Sequence, residues 1–155
     1  MTSSSAAGGQ PLILLAEDSS DDVFFMQRAL EIARIANPLA VAADGQEAVD
    51  YLEGIGPFAD RQSHPFPRLL LLDIKMPRMN GFDVLAWLSA QSQISRPAVV
   101  MLSSSDLESD IEKARLLGAD DYRVKPHGLN ALVVLLHQLH ARWLTSEARP
   151  ASRVA

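Results

Sequence analysis

Residues 69–85 read LLLLDIKMPRMNGFDVL, and this stretch decides the fold. The apolar run Leu69 to Leu72 suits a buried β-strand, and it stops at the carboxylate of Asp73. From Gly81 onward Phe82, Leu85 and Leu88 recur at helical spacing, so the stretch is one strand, loop and helix. Working outward, the same arrangement returns: Leu12 to Ala16 ends at Glu17-Asp18, Ala98 to Leu102 at Ser103, and Tyr122 to Val124 at Lys125. Leu39 to Ala42 supplies a fifth short run. Strands alternating with helix-period segments predict an α/β domain of five βα units around a doubly wound parallel sheet.

The boundaries follow from local chemistry. In the first helix Val23, Met26, Leu30 and Ala33 face inward, and Asn37-Pro38 ends it; Asp44-Gly45 turns the chain into a short helix ending near Glu53. Ser105 with Glu108 three residues later has capping-box spacing, which predicts a helix from there to a stop at Gly118. The last helix is expected to turn Leu129, Leu132, Val133, Leu136 and Trp143 inward and to leave Val134 and Leu135 outside that stripe. Gly54 to Pro67 is a long irregular connection, a partner-contact surface or a tolerated insertion. Residues 1–11, small, polar and Gly-rich, read as a disordered lead-in; residues 12–145 form the domain and 146–155 a flexible tail.

At 155 residues and 16.9 kDa the chain is one domain. A formal charge of -5, with 14 basic residues against 19 acidic ones and no basic run, argues against nucleic-acid binding and against anionic lipid. The absence of cysteine excludes disulfides and thiolate metal sites. Met1 to Pro11 lacks the features of a secretory signal and no apolar stretch reaches the roughly 18 residues of a membrane span, so a cytoplasmic protein is expected.

In an open parallel sheet, residues at the carboxyl ends of strands converge. Here that gathers Glu17, Asp18, Asp73, Ser103 and Lys125. Magnesium needs few protein carboxylates because it keeps several waters, and Asp18 and Asp73 are the candidate ligands, with Glu17 assisting. Phosphoryl transfer needs its equatorial oxygens positioned and neutralised, which the cation, the Lys125 ammonium and the Ser103 hydroxyl can do. Asp73, on the central strand, is the candidate nucleophile. Singly, each has a plainer explanation: Glu17-Asp18 as acids favourable to a helix dipole, Asp73 as a turn residue, Ser103 as a cap, Lys125-Pro126 as a turn. Their joint occurrence, after four strands in order, is what points to one site. His64, His127, His137 and His140 receive no role.

These residues carry a family resemblance. LLAEDSSDD, the DxxMPxxxG segment around Asp73, VVMLSSS with Ser103, and GADDYRVKP with Tyr122, Lys125 and Pro126 make Leu12 to Trp143 resemble the receiver domain of bacterial two-component response regulators, with its flavodoxin-like (βα)5 fold. The long loop before Asp73 and the lack of an output domain are most similar to small stand-alone regulators that partner bacterial phytochrome kinases. The resemblance implies that Asp73 accepts a phosphoryl group from a sensor histidine kinase, with Mg2+ held by Asp18, Asp73 and the Lys75 carbonyl and aided by Glu17. It implies that Lys125 contacts the phosphoryl group, that Ser103 moves toward it, and that Tyr122 rotates into the space Ser103 leaves. A cis Lys125-Pro126 bond and a homodimer through the last helix and Tyr122 to Val124 are further expectations. The chain would then be no enzyme beyond its own phosphorylation and dephosphorylation. The enzyme alternative, a magnesium-dependent aspartyl-phosphate phosphatase or phosphotransferase of the dehalogenase-like class, wants a second Asp two residues after the nucleophile, where this chain has Lys75. A nucleotide or flavin carrier is disfavoured because AEDSSDD puts carboxylates where phosphate would need N–H groups.

Overall fold

A computed structural model describes residues 9–91 and 95–145. The lead-in expected over residues 1–11 lies outside the described residues as far as residue 8, and the tail expected over 146–155 lies wholly outside them. Five strands, β1 (Ile13–Ala16), β2 (Leu39–Ala42), β3 (Leu69–Leu72), β4 (Ala98–Ser103) and β5 (Asp121–Val124), form one parallel sheet in the order β2-β1-β3-β4-β5. The helices are α1 (Ser20–Ala33), α2 (Gly45–Glu53), α3 (Gly81–Ala90), α4 (Glu108–Leu116) and α5 (Leu129–Leu139), the last continuing into a wider turn over His140–Leu144. This is the doubly wound α/β fold expected from the sequence.

Side-chain alternation along each strand divides the core in two. Leu14, Leu70, Leu72, Val99 and Met101 point to the layer closed by α2, α3 and α4, through residues such as Val49, Leu52, Leu85 and Ala114. Ile13, Leu15, Leu69, Leu71 and Val100 point to the opposite layer, closed by Met26 and Leu30 of α1 and by Leu135, Leu136 and Leu139 of α5. β3 pairs with β1 through Ile13↔Leu69 to Ala16↔Leu72 and with β4 through Leu69↔Ala98 to Leu72↔Met101. Its four leucines are at most 1% exposed. Each contributes about 1.5–3 kcal/mol by burial, in keeping with a strand that is wholly apolar up to Asp73.

Three expectations are corrected. α4 starts at Glu108, not Ser105, because the Ser105 hydroxyl is otherwise engaged: it accepts from the Leu107 amide at 3.3 Å and donates to Asp110 at 2.6 Å, which closes a turn instead of a helix cap. Leu135 is buried, because α5 packs on both the sheet and α1 and so buries a wider arc than a single stripe; Val134 stays exposed. The Lys125-Pro126 bond is trans, the form X-Pro bonds ordinarily favour. The Gly54 to Pro67 connection is well packed: Arg61 donates to the carbonyls of Tyr51 and Leu52 at 2.8 Å, satisfying the end of α2, and the Tyr51 hydroxyl donates to Pro65 at 3.0 Å.

The loop from β3 to α3 is fixed to its neighbours. The Gly81 amide donates to Ile74 at 2.8 Å, the Gly45 amide to Met79 at 3.1 Å, and the Arg78 guanidinium pairs with Asp44, the N-cap of α2. A methyl group on Gly81 would lie 2.3 Å from the Asp73 carbonyl oxygen. Gly81→Ala must therefore displace the Asp73 backbone, and we expect it to lower the unfolding free energy by about 1–3 kcal/mol, read from urea denaturation; an unchanged midpoint would contradict this packing.

Candidate functional site

The carboxyl ends of β1, β3, β4 and β5 meet at one edge of the sheet. Glu17 and Asp73 directly follow buried strands and are only 4% and 7% exposed, whereas Asp18, one residue further, faces solvent. Carboxylate oxygens of Glu17, Asp18 and Asp73 lie within 4.8 Å of one another, an all-oxygen set that suits a hard divalent cation. The Lys75 side chain is exposed.

Lys125 enters this cluster from the loop after β5, anchored by its amide, which donates to the Ser103 carbonyl at 2.8 Å. Its ammonium lies 2.7 Å from Glu17 Oε1, 2.7 Å from Asp22 Oδ2 and 3.2 Å from Asp73 Oδ2. Burial alone would lower the Lys125 pKa, but hydrogen bonds with Asp22 and Glu17 and the charges of Asp73 and Glu17 outweigh it, so the ammonium is held well above its ordinary value. The Glu17 pKa is raised as well, which for a carboxyl group favours the neutral form. Burial raises its pKa and the nearby Asp73 charge adds to that, more than the Lys125 and Ser19 hydrogen bonds lower it. The asymmetry is physical, since one ammonium is shared among three carboxylates.

Ser103 is 2% exposed, with its hydroxyl accepting from the Ser105 amide at 3.2 Å. Tyr122 is partly buried, and its hydroxyl donates to the Ser105 carbonyl at 2.7 Å. Ser105 thus links the two side chains. Beside Lys125 a cavity of about 250 Å³ opens between α1 and the start of α5, lined by Met26, Phe25, Leu102 and Leu129.

All the residues expected at the site from the sequence are on this edge: Glu17, Asp18, Asp73, Ser103 and Lys125, with Lys75 and Tyr122 beside them. Asp22 was missed. The available signal was its place in the acidic first turn of the helix that directly follows Glu17-Asp18. Of the histidines, His137 brings a ring nitrogen to 3.1 Å from the Ala33 carbonyl, tying α5 to α1 far from this edge in sequence.

Comparison with known proteins agrees with this geometry. The family model for the response regulator receiver domain matches residues 13–137. The response regulator Rcp1 of Synechocystis sp. is 30% identical over 87% of this chain and 90% of its own length, and the structure of its Mn(2+)-bound form superposes with a TM-score of 0.77. The response regulator RPA3017 in red light signaling of R. palustris is 31% identical, with a TM-score of 0.85 over 92% of this chain and 99% of its own. The phosphorylated cyanobacterial phytochrome response regulator RcpA is also 31% identical, with a TM-score of 0.81 over 93% and 100%.

Glu17 makes stability depend on pH. Its favourable contribution is complete below the ordinary value of 4.5 and is lost as pH rises through the higher folded value, since the ionised form must then be buried. Glu17→Gln has no proton to release. In chelator, its stability relative to the wild type is expected to rise from about pH 4 to about pH 7; parallel unfolding curves across that range would refute the account.

Proposed function

The chain belongs to the response regulator receiver domain family, and we propose that Asp73 is the residue on which it carries its signal, as an acyl phosphate. The observation that carries this reading is the ammonium of Lys125 lying 3.2 Å from Asp73 in a cluster with Glu17 and Asp18. The donor is a phosphohistidine of a sensor kinase. A carboxylate oxygen of Asp73 attacks phosphorus, the phosphorus–nitrogen bond breaks, and the leaving imidazole keeps the electron pair and takes up a proton. Magnesium, held by Asp18, Asp73 and the Lys75 carbonyl with Glu17 assisting, would supply charge neutralisation at the phosphoryl oxygens. Its assignment is supported by the all-oxygen cluster and by the manganese that Rcp1 binds.

Lys125 neutralises a second oxygen and Ser103 donates to a third. As the Ser103 hydroxyl turns toward the phosphoryl group, the Ser105 amide loses its partner. Ser105 also receives the Tyr122 hydroxyl, so the change passes to Tyr122, which moves into the vacated space. The kinase is proposed to be a bacterial phytochrome, a reading supported by the names of the similar regulators. On this view the chain acts in the cytoplasm and catalyses only its own phosphorylation and dephosphorylation; among the described residues no helix is long and apolar enough to cross a membrane. The dehalogenase-like phosphatase is not favoured, Lys75 standing where its second Asp belongs.

A homodimer through α5 and β5 is the proposed assembly. With Leu135 buried, its apolar area comes from Val134 and Val124, 55% and 44% exposed. Light scattering across a concentration series, with and without beryllofluoride, is expected to show a dimer strengthened by the phosphoryl mimic; a monomer in every condition excludes it.

Asp73→Asn keeps the shape but is a poor nucleophile, so labelling by acetyl phosphate or a cognate kinase should fall to background. Undiminished labelling would overturn the acceptor assignment. Asp18→Ala is expected to weaken magnesium binding at least about tenfold, as measured by calorimetric titration.

A further inference from the structure

Lys125 has three N–H donors, and three carboxylates receive them: Glu17 and Asp22 at 2.7 Å and Asp73 at 3.2 Å. Two of the three belong to the acidic cluster. Asp22 does not, and its side chain is 41% exposed. Glu17 and Asp73 would share their oxygens between a cation held in the cluster and the ammonium, whereas Asp22, outside the cluster, would serve the ammonium alone. Asp22 is also the best fixed of the outer groups. It lies in the first turn of α1, its amide donates to the N-cap Ser19 at 3.2 Å, and the helix behind it is locked by Met26, Ala29 and Leu30.

We propose that Asp22 is a positioning residue for phosphoryl transfer, which holds the Lys125 ammonium beside Asp73 from outside the metal cluster. This rests on Asp73 being the acceptor. As the phosphoryl group arrives, the donor that points at Asp73 passes to a phosphoryl oxygen, while the bond to Asp22 keeps the nitrogen in place. Without it the four-carbon stem has two other resting places. It can settle onto Glu17 and Asp73, occupying oxygens the cation needs, or swing into the neighbouring cavity beside Phe25 and Leu129. A simple helix-dipole role for Asp22 is separable, because Asp21 occupies the same first turn and makes no bond to Lys125.

The test is the initial rate of phosphorylation by acetyl phosphate at saturating magnesium. Asp22→Asn is expected to slow it about threefold, the scale of one charge-assisted hydrogen bond at a partly exposed site. Asp22→Glu should recover most of the rate, and Asp21→Asn should leave it unchanged. In a Lys125→Ala background, Asp22→Asn should have no further effect. Wild-type rates in Asp22→Asn, or the same loss with Lys125 absent, would overturn the proposal, the latter by placing the effect in the helix. Asp73→Asn assayed alongside separates the two ideas: if it still labels, the acceptor reading itself has failed.

Discussion

Parallel pairing of β3 between β1 and β4 is the constraint on which the rest of this molecule depends. Parallel strands must be joined by crossovers, so each carboxyl end faces the same edge and each helix returns over a face of the sheet. The central strand is consequently buried on both sides, and Leu69 to Leu72 contribute alternately to the two core layers. The first polar residue after that run is Asp73. Its position, at the brink of the core but barely exposed, follows from where the leucines stop.

The edge is an electrostatic compromise. Burial first, and then the charge of neighbouring Asp73, raise the pKa of Glu17. One partly buried ammonium offsets these effects only in part, because three carboxylates share it. The arrangement suits a site meant to receive further positive charge, and it is paid for by the packing beneath it. Neighbouring backbone is correspondingly stiff: Gly81 and Gly45 allow close approach of the β3–α3 loop, while Arg78 and Asp44 clamp it to α2. Ser105 behaves differently. Its amide and carbonyl serve Ser103 and Tyr122 in turn, so a rearrangement at one side chain is communicated to the other through a single residue.

Where local sequence misled, a tertiary contact or a competing side-chain bond had intervened. The Ser105 hydroxyl found Asp110 and so closed a turn before α4. Leu135 looked peripheral on a helical wheel drawn for one neighbour, but α5 has two, and its burial reflects the second. Lys125 reaches the carboxylates with the Lys125-Pro126 bond trans, its approach set by the end of β5 and by the bond to Ser103.

The strand runs, their number, the sheet type and the residues that follow them were legible in the sequence, because burial of β1, β3 and β4 on two faces demands unbroken apolar runs, while the edge strands β2 and β5 are short runs spaced between helix-period segments. The sequence therefore also determined that Glu17, Asp18, Asp73, Ser103 and Lys125 share an edge. How the charges are divided there depends on three-dimensional packing. The separation of Asp22 from Lys125 along the chain is 103 residues, and nothing local relates them; their 2.7 Å contact exists because α1 and the β5–α5 loop are brought together across the sheet's carboxyl edge. A hydrogen bond depends on tenths of an ångström, and those are fixed by packing, which no periodicity in the sequence encodes.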